Sequence, residues 1–177
     1  MPPPYLSMNI FASYRCPVKS ARVLDDQRLV KMILESCQLL SNGLRHNGIE
    51  LDGLPKKTHF NHPCSLWVAE GRDNFAWLLE HANALDEERQ RRWGHNKTHK
   101  TLAACYAAKF HRYGKRLPYG GSIHVNCAAN EKLGISFKHV TPVYKAYKLY
   151  LLARRRYQQE HYPELRLPVA TIKGYLS

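Results

Sequence analysis

A carboxylate set among apolar residues is costly unless it is paired or put to use, and Asp26 is such a residue. At about 100° per residue, Val23, Val30, Ile33, Leu34, Cys37 and Leu40 share one apolar arc of the helical stretch Val18 to Leu40, and Asp26 projects into its middle. Asp25 lies at the edge of that arc beside Met32, while Gln27, Arg28, Lys31, Glu35 and Gln38 gather on a separate polar stripe. Two readings fit. Acids in the first turns suit the helix dipole, and Arg28, Lys31 and Glu35 are spaced for ordinary ion pairs on a solvated face. Alternatively the acids are functional, because perturbed carboxylates mark sites.

A second constellation, Asn61-His62-Pro63, follows the basic loop residues Lys56, Lys57 and His59 and precedes Trp67. Pro63 suits a first helical turn with Asn61 or His62 at the cap. For His62 a plain capping role and a cleft-lining role both stay open. Between Arg89 and Arg116, basic residues including Arg92, Lys97 and His99 interleave with Trp93, Tyr106, Phe110 and Tyr113. Cations neutralise phosphates and rings stack on unpaired bases, and the scarcity of counter-acids favours this over a solvated face. His95-x-x-x-His99 and His124-x-x-Cys127 have spacings that zinc accepts. Histidine is abundant and each pair is short, so no metal ligand is assigned. Cys37 and Cys64 fall on core positions, where thiols are inert, and no GxSxG or Walker loop is present.

The elements that must hold these residues are helical. The run from Val18 to Leu40 is the first helix, and SNGLRHNGIELDGLPKK after it reads as loop. Pro63 opens a short helix, Asn74 to Trp93 a longer one ended by Gly94, and Thr98 to Arg112 another. Thr141-Pro142 starts a last helix to about Tyr157, and residues 122–140 are short helix or irregular. MPPPYLSM is an unstructured lead, Asn9 to Ala12 threads into the core, and the tail after Tyr162 wraps the surface. The expected architecture is one all-α domain of about five helices over residues 1–177 with a basic cleft.

Charge names the partner class. Of the net +13, residues 1–88 contribute −2 and residues 89–177 contribute +15, with Glu131, Glu160 and Glu164 the only acids in the second half. Such a half-chain repels itself until a polyanion neutralises it, and nucleic acid is the commonest one. No basic amphipathic helix with bulky apolar anchors points to a membrane surface instead. Five scattered cysteines without a CxxC pair argue for a reducing compartment, here the cytoplasm.

The run NIF…PVKSARVLDDQRLVKMILES, then HFNHPCSLWV, then a helix ending EERQRRWG, resembles the small proteins described as pyrimidine-dimer DNA glycosylases. More distantly it resembles the endonuclease V-type repair glycosylases. The likeness covers roughly residues 8–112, and its specific pieces are Asp26, Arg28, Lys31, Glu35 and Asn61-His62-Pro63. It implies a compact, all-α, cofactor-free monomer that exposes a nucleotide of double-stranded DNA and cleaves its N-glycosidic bond. On that reading Asp26 stabilises positive charge on the sugar and Glu35 is the acid/base. Arg28, Lys31 and Gln38 hold phosphates or the base, and Asn61 and His62 line the pocket. Endonuclease V-type enzymes use their N-terminal amine as nucleophile, whereas here MPPPYLSM precedes NIF. Unless Met8 is the natural start, Lys31 supplies the amine, with associated AP-lyase cleavage, or Asp26 activates water; the water route is favoured. The substrate reading is a damaged or bulky modified pyrimidine, such as a glucosylated cytosine, in repair or in defence against phage. The alternative is a non-enzymatic nucleic-acid-binding protein. A group-transfer enzyme is disfavoured by the missing nucleotide-binding loop.

Overall fold

Asp25 decides where the main helix begins. The stretch read as one helix is two, α1 (Pro17–Arg22) and α2 (Asp26–His46). Asp25 between them has extended backbone, and its side chain accepts a hydrogen bond from the Arg28 backbone N–H at 2.9 Å. That N-cap satisfies a donor the new helix would otherwise leave orphaned. Helix α2 then continues through Ser41-Asn42-Gly43, which sequence pattern assigns to loop. Position 43 is a glycine inside the helix because a side chain has no room there: a Cβ would stand 2.6 Å from Val68 Cγ1. The helix ends instead at the second Asn-Gly, with Gly48 left-handed at φ +73°.

The computed structural model describes residues 8–163. Beyond α2 come α3 (Pro63–Glu70), α4 (Arg72–Trp93), α5 (Lys100–Ala107) and α6 (Phe110–Tyr113). A two-stranded antiparallel ribbon follows, β1 (Ala129–Asn130) with β2 (Ile135–Ser136), Ala129 opposite Ser136, and then α7 (Val143–His161). The all-α expectation holds, with seven helices rather than five among the described residues. The extra breaks are the Asp25 cap and Lys109, whose left-handed φ of +60° separates α5 from α6. The proline-rich lead up to residue 7 and the tail beyond residue 163 lie outside the described residues. No described helix is long and apolar enough to cross a membrane.

Helix α2 is the central element, packed on α3, α4 and α5, and α1 lies along α4. Its buried side differs from the expected arc. Ile33, Cys37 and Leu40 are buried, but Val30 and Leu34 are 44% and 40% exposed, while Leu29, Met32 and Leu39 are buried. The reason is a segment that covers the polar row instead. Residues 8–13 are all buried against α2 and α7, as the threading of Asn9 to Ala12 anticipated. Asn9 bends this segment: its Oδ1 accepts from the backbone N–H groups of Ile10 and Phe11, and Phe11 takes a left-handed φ of +45°. The Phe11 ring then stacks on Tyr150 and meets Tyr147 edge-on, both from α7.

Candidate active site

Arg28 and Glu35 are seven residues apart, so they share one row of α2, and the segment 8–13 closes over both. Phe11 lies under the Arg28 guanidinium, 5.9 Å from Cζ to ring centroid. The Asn9 backbone amide faces the Glu35 carboxylate and favours its charged form. Glu35 is only 6% exposed. Lys31, one turn earlier and half-exposed, places Nζ 3.1 Å from Glu35 Oε1, whereas Oε2 has no hydrogen-bond partner among the described residues. Burial raises the Glu35 pKa above the ordinary carboxylate value, against the smaller opposing pull of Lys31 and the Asn9 amide. A carboxyl poised in this way exchanges a proton nearer neutrality than an exposed one.

A cleft of about 380 Å³ is lined by Met8, His62, Cys127, Asn130, Lys132 and Lys138 among others. Neither Lys31 nor Glu35 lines it, but Glu35 is near enough to act electrostatically on Cys64, the neighbour of Cys127. Met8 is thus the link between the cleft and Asn9 on Glu35. The start of α3 forms the facing wall. Asn42 of α2 pins that wall by donating to Ser65 Oγ at 3.0 Å and to the Thr58 carbonyl at 2.7 Å. His62 is the N-cap of α3, its Nδ1 accepting from the Cys64 backbone N–H at 3.1 Å, and its exposed face lines the cleft. The capping and cleft-lining roles therefore coincide. Burial, helped by His59 and Lys138, lowers the His62 pKa and keeps the ring neutral. Asn61 is exposed just before it, and Gln38 is half-buried one turn beyond Glu35 on α2.

Other expected site residues lie elsewhere. The acid enclosed by protein is Asp25, 2% exposed, which is ion-paired to the buried Arg28; Asp26, whose side chain is 44% exposed, is not. A helix that starts at residue 26 turns that side chain outward to Arg92, 2.9 Å away. Asp26 and Glu35, nine residues apart, also stand about 13 Å apart along α2 and half a turn round it, so one sugar cannot lie between them. Arg28 is 1% exposed, caged by Asp25, Gln158 and Phe11, and reaches no phosphate. Arg92 is a strut: it bonds the Leu24 and Arg22 carbonyls, Asp26 and Glu88, with 8% of its side chain exposed. Desolvated pairs of this kind organise structure rather than ligands. Lys97 is exposed, as expected of a phosphate contact, while His99 caps α5 through Nδ1 and accepts from Thr101 N–H. His124 is boxed in by Trp67, Trp77 and Tyr144, so the His95, His99, His124 and Cys127 set does not form. The described residues instead bring His62 and Cys64 to Cys127.

The acids at the end of α4 are consumed locally, Asp86 by Arg89 and Glu88 by Arg91 and Arg92. The exposed positive charge falls beyond them, on Lys97, Lys100, Lys109, Arg112, Lys115 and Arg116, with Arg116 laid over Tyr113 at 4.6 Å. Tyr106 and Phe110 of the same stretch pack against each other and serve the core. Sequence pattern did not foresee that Met8, Cys127, Asn130 and Lys138 line the cleft, because chain segments distant in sequence meet there; the short NIF run was the one local signal.

The family model for pyrimidine dimer DNA glycosylases matches residues 8–101, which span the covering segment 8–13, the whole of α2, the His62 cap and the α4 strut. No curated protein and no solved structure shows a significant match. The matched region is more than half of the chain and contains the Lys31–Glu35 pair and one wall of the cleft, and on that basis the chain belongs to the pyrimidine dimer DNA glycosylase family.

Proposed function

We propose that the protein excises a damaged or bulky modified pyrimidine from double-stranded DNA, with Glu35 as the acid/base residue. The observation that carries this reading is the buried Glu35 carboxylate, paired with the half-exposed Lys31, close to a cleft lined by His62 and two lysines. A base turned out of the duplex would enter the cleft while the exposed cations between Lys97 and Arg116 neutralise phosphates on either side. The carboxylate of Glu35 would offset positive charge as it develops on the sugar and take a proton from the attacking water. Lys31 Nζ is engaged by Glu35 Oε1 at 3.1 Å, which suits it to a phosphate or an abasic oxygen better than to nucleophilic attack. Hydrolysis without AP-lyase cleavage follows. The cleft is open and sets Lys132, Lys138 and Asn130 beside apolar Met8 and Pro63, which fits a pyrimidine enlarged by a dimer bond or a sugar. A glucosylated cytosine as substrate would place the enzyme in defence against modified phage DNA; a photodimer would place it in repair.

The test is mass spectrometry of free bases released from duplexes that are plain, ultraviolet-irradiated, hydroxymethylated or glucosylated. Release from a modified duplex and none from the plain one supports the reading. Salt-dependent binding with no base released from any duplex leaves a non-enzymatic DNA-binding protein.

A further inference from the structure

The thiols of Cys64 and Cys127, 63 positions apart in the chain, meet with their sulfurs 3.8 Å apart, and no disulfide joins them. Two thiolates on a tetrahedral zinc ion, each at about 2.3 Å, are held about 3.8 Å apart. A disulfide would require the sulfurs to close to about 2.05 Å. The pair therefore already has the edge length of a tetrahedral thiolate site. A ring nitrogen of His62 completes a triangle of donors that all lie within 4.8 Å of one another. We propose that His62, Cys64 and Cys127 bind one thiophilic divalent cation of the zinc class, with the fourth coordination position facing the cleft.

A thiol–thiol hydrogen bond alone would account for the sulfur separation, but not for the third donor. Nor would it account for how firmly the three donors are carried. Asn9 Nδ2 donates to the Cys127 carbonyl at 3.0 Å, and Tyr147 Oη accepts from the Cys127 N–H at 3.1 Å while donating to the Val125 carbonyl at 2.8 Å. Cys64 and His62 are fixed by the first turn of α3. Such outer contacts orient ligands ahead of the ion. Two thiolates and a neutral imidazole balance a dication, and their softness excludes magnesium and calcium. Because the Cys64 N–H now occupies the Nδ1 lone pair, loading displaces either that bond or the present tautomer, and the two sulfurs carry most of the affinity. The ion would clamp the start of α3 to the segment entering β1 across the floor of the cleft.

Cobalt(II) is the probe, added to the reduced, metal-free full chain. One equivalent should produce thiolate-to-cobalt charge-transfer absorption and the visible bands of tetrahedral cobalt, competed away by zinc. Cys64→Ser and Cys127→Ser should each abolish the thiolate bands, and Cys16→Ser, at an exposed position, should keep them. In the unsubstituted chain, which does not depend on any variant folding, zinc should slow alkylation of Cys127 about ten-fold or more, and a chelator should restore it. Absence of the bands, their persistence in both serine variants, or unprotected Cys127 under saturating zinc overturns the proposal. A Cys64–Cys127 disulfide forming in air, with no cobalt bound by the reduced chain, also overturns it. None of these readouts involves base release, so the outcome is independent of the glycosylase reading.

Discussion

Lys31 Nζ stands 3.1 Å from Glu35 Oε1, and the second oxygen of Glu35 is buried with no hydrogen-bond partner among the described residues. The pair is held under Asn9, whose neighbour Met8 lines the cleft.

Glu35→Gln keeps the shape of the side chain and removes its charge. Base release should fall by about 10²–10⁴-fold with DNA affinity unchanged. Asp26→Asn should lose one of the several partners of Arg92, at a carboxylate that is itself half-exposed, costing about 1 kcal/mol of stability, and retain most activity. Single-turnover base release and thermal denaturation of both variants check this; equal loss in the two would return the buried-charge role to Asp26.

Lys31→Met removes the cation that holds the Glu35 pKa down. The acidic limb of the pH–rate profile should move to higher pH, toward the value that burial alone would set. An unmoved limb means that another group governs the profile.

Borohydride added during turnover should trap no enzyme–DNA adduct with the full chain. A chain shortened to begin at Asn9 puts its terminal amine against Glu35, and that form should trap. Adduct formation by the full chain that disappears in Lys31→Met would assign the nucleophile to Lys31 instead.

His81 is fully buried, hydrogen-bonded to the Pro17 carbonyl and stacked on Trp77; burial lowers its pKa to about 4. The unfolded chain takes up this proton near pH 6.5, so stability present above pH 6.5 is lost as pH falls toward 4. The loss is on the order of 3 kcal/mol. His81→Asn should flatten the Tm–pH curve over that window, as calorimetry would show.

Substituting Lys97, Lys109, Arg112 or Arg116 by alanine should each reduce the salt slope of DNA binding by about one. Arg92→Ala should leave the slope unchanged and lower Tm, because Arg92 is a strut between α4 and the α1–α2 turn. Titrations at several salt concentrations distinguish the two groups.

Much of this molecule was legible in its sequence where the signal is local. Apolar periodicity at 3.6 residues, Pro63 at a helix start, Gly94 at a helix end and the uneven charge are properties of neighbouring residues, and they specify an all-α, DNA-directed chain. Glu35 and His62 were singled out by local pattern together with the family resemblance, and their roles are those proposed above. Which acid is buried was not decided locally. Asp25 and Asp26 are adjacent, and the cap bond to Arg28 N–H turned one inward and the other toward Arg92. Arg28 looked solvated until the segment from Met8 to Ser13, whose cover comes from α7 at the far end of the chain, closed over it. The loop reading of Gly43 failed because the glycine marks the close approach of Val68, 25 positions away, rather than a turn. The meeting of Cys64 with Cys127 likewise needs the chain to return across 63 positions. Periodicity reports which face of an element is apolar. What covers the polar face is settled by contacts between distant segments, and only the tertiary structure supplies those.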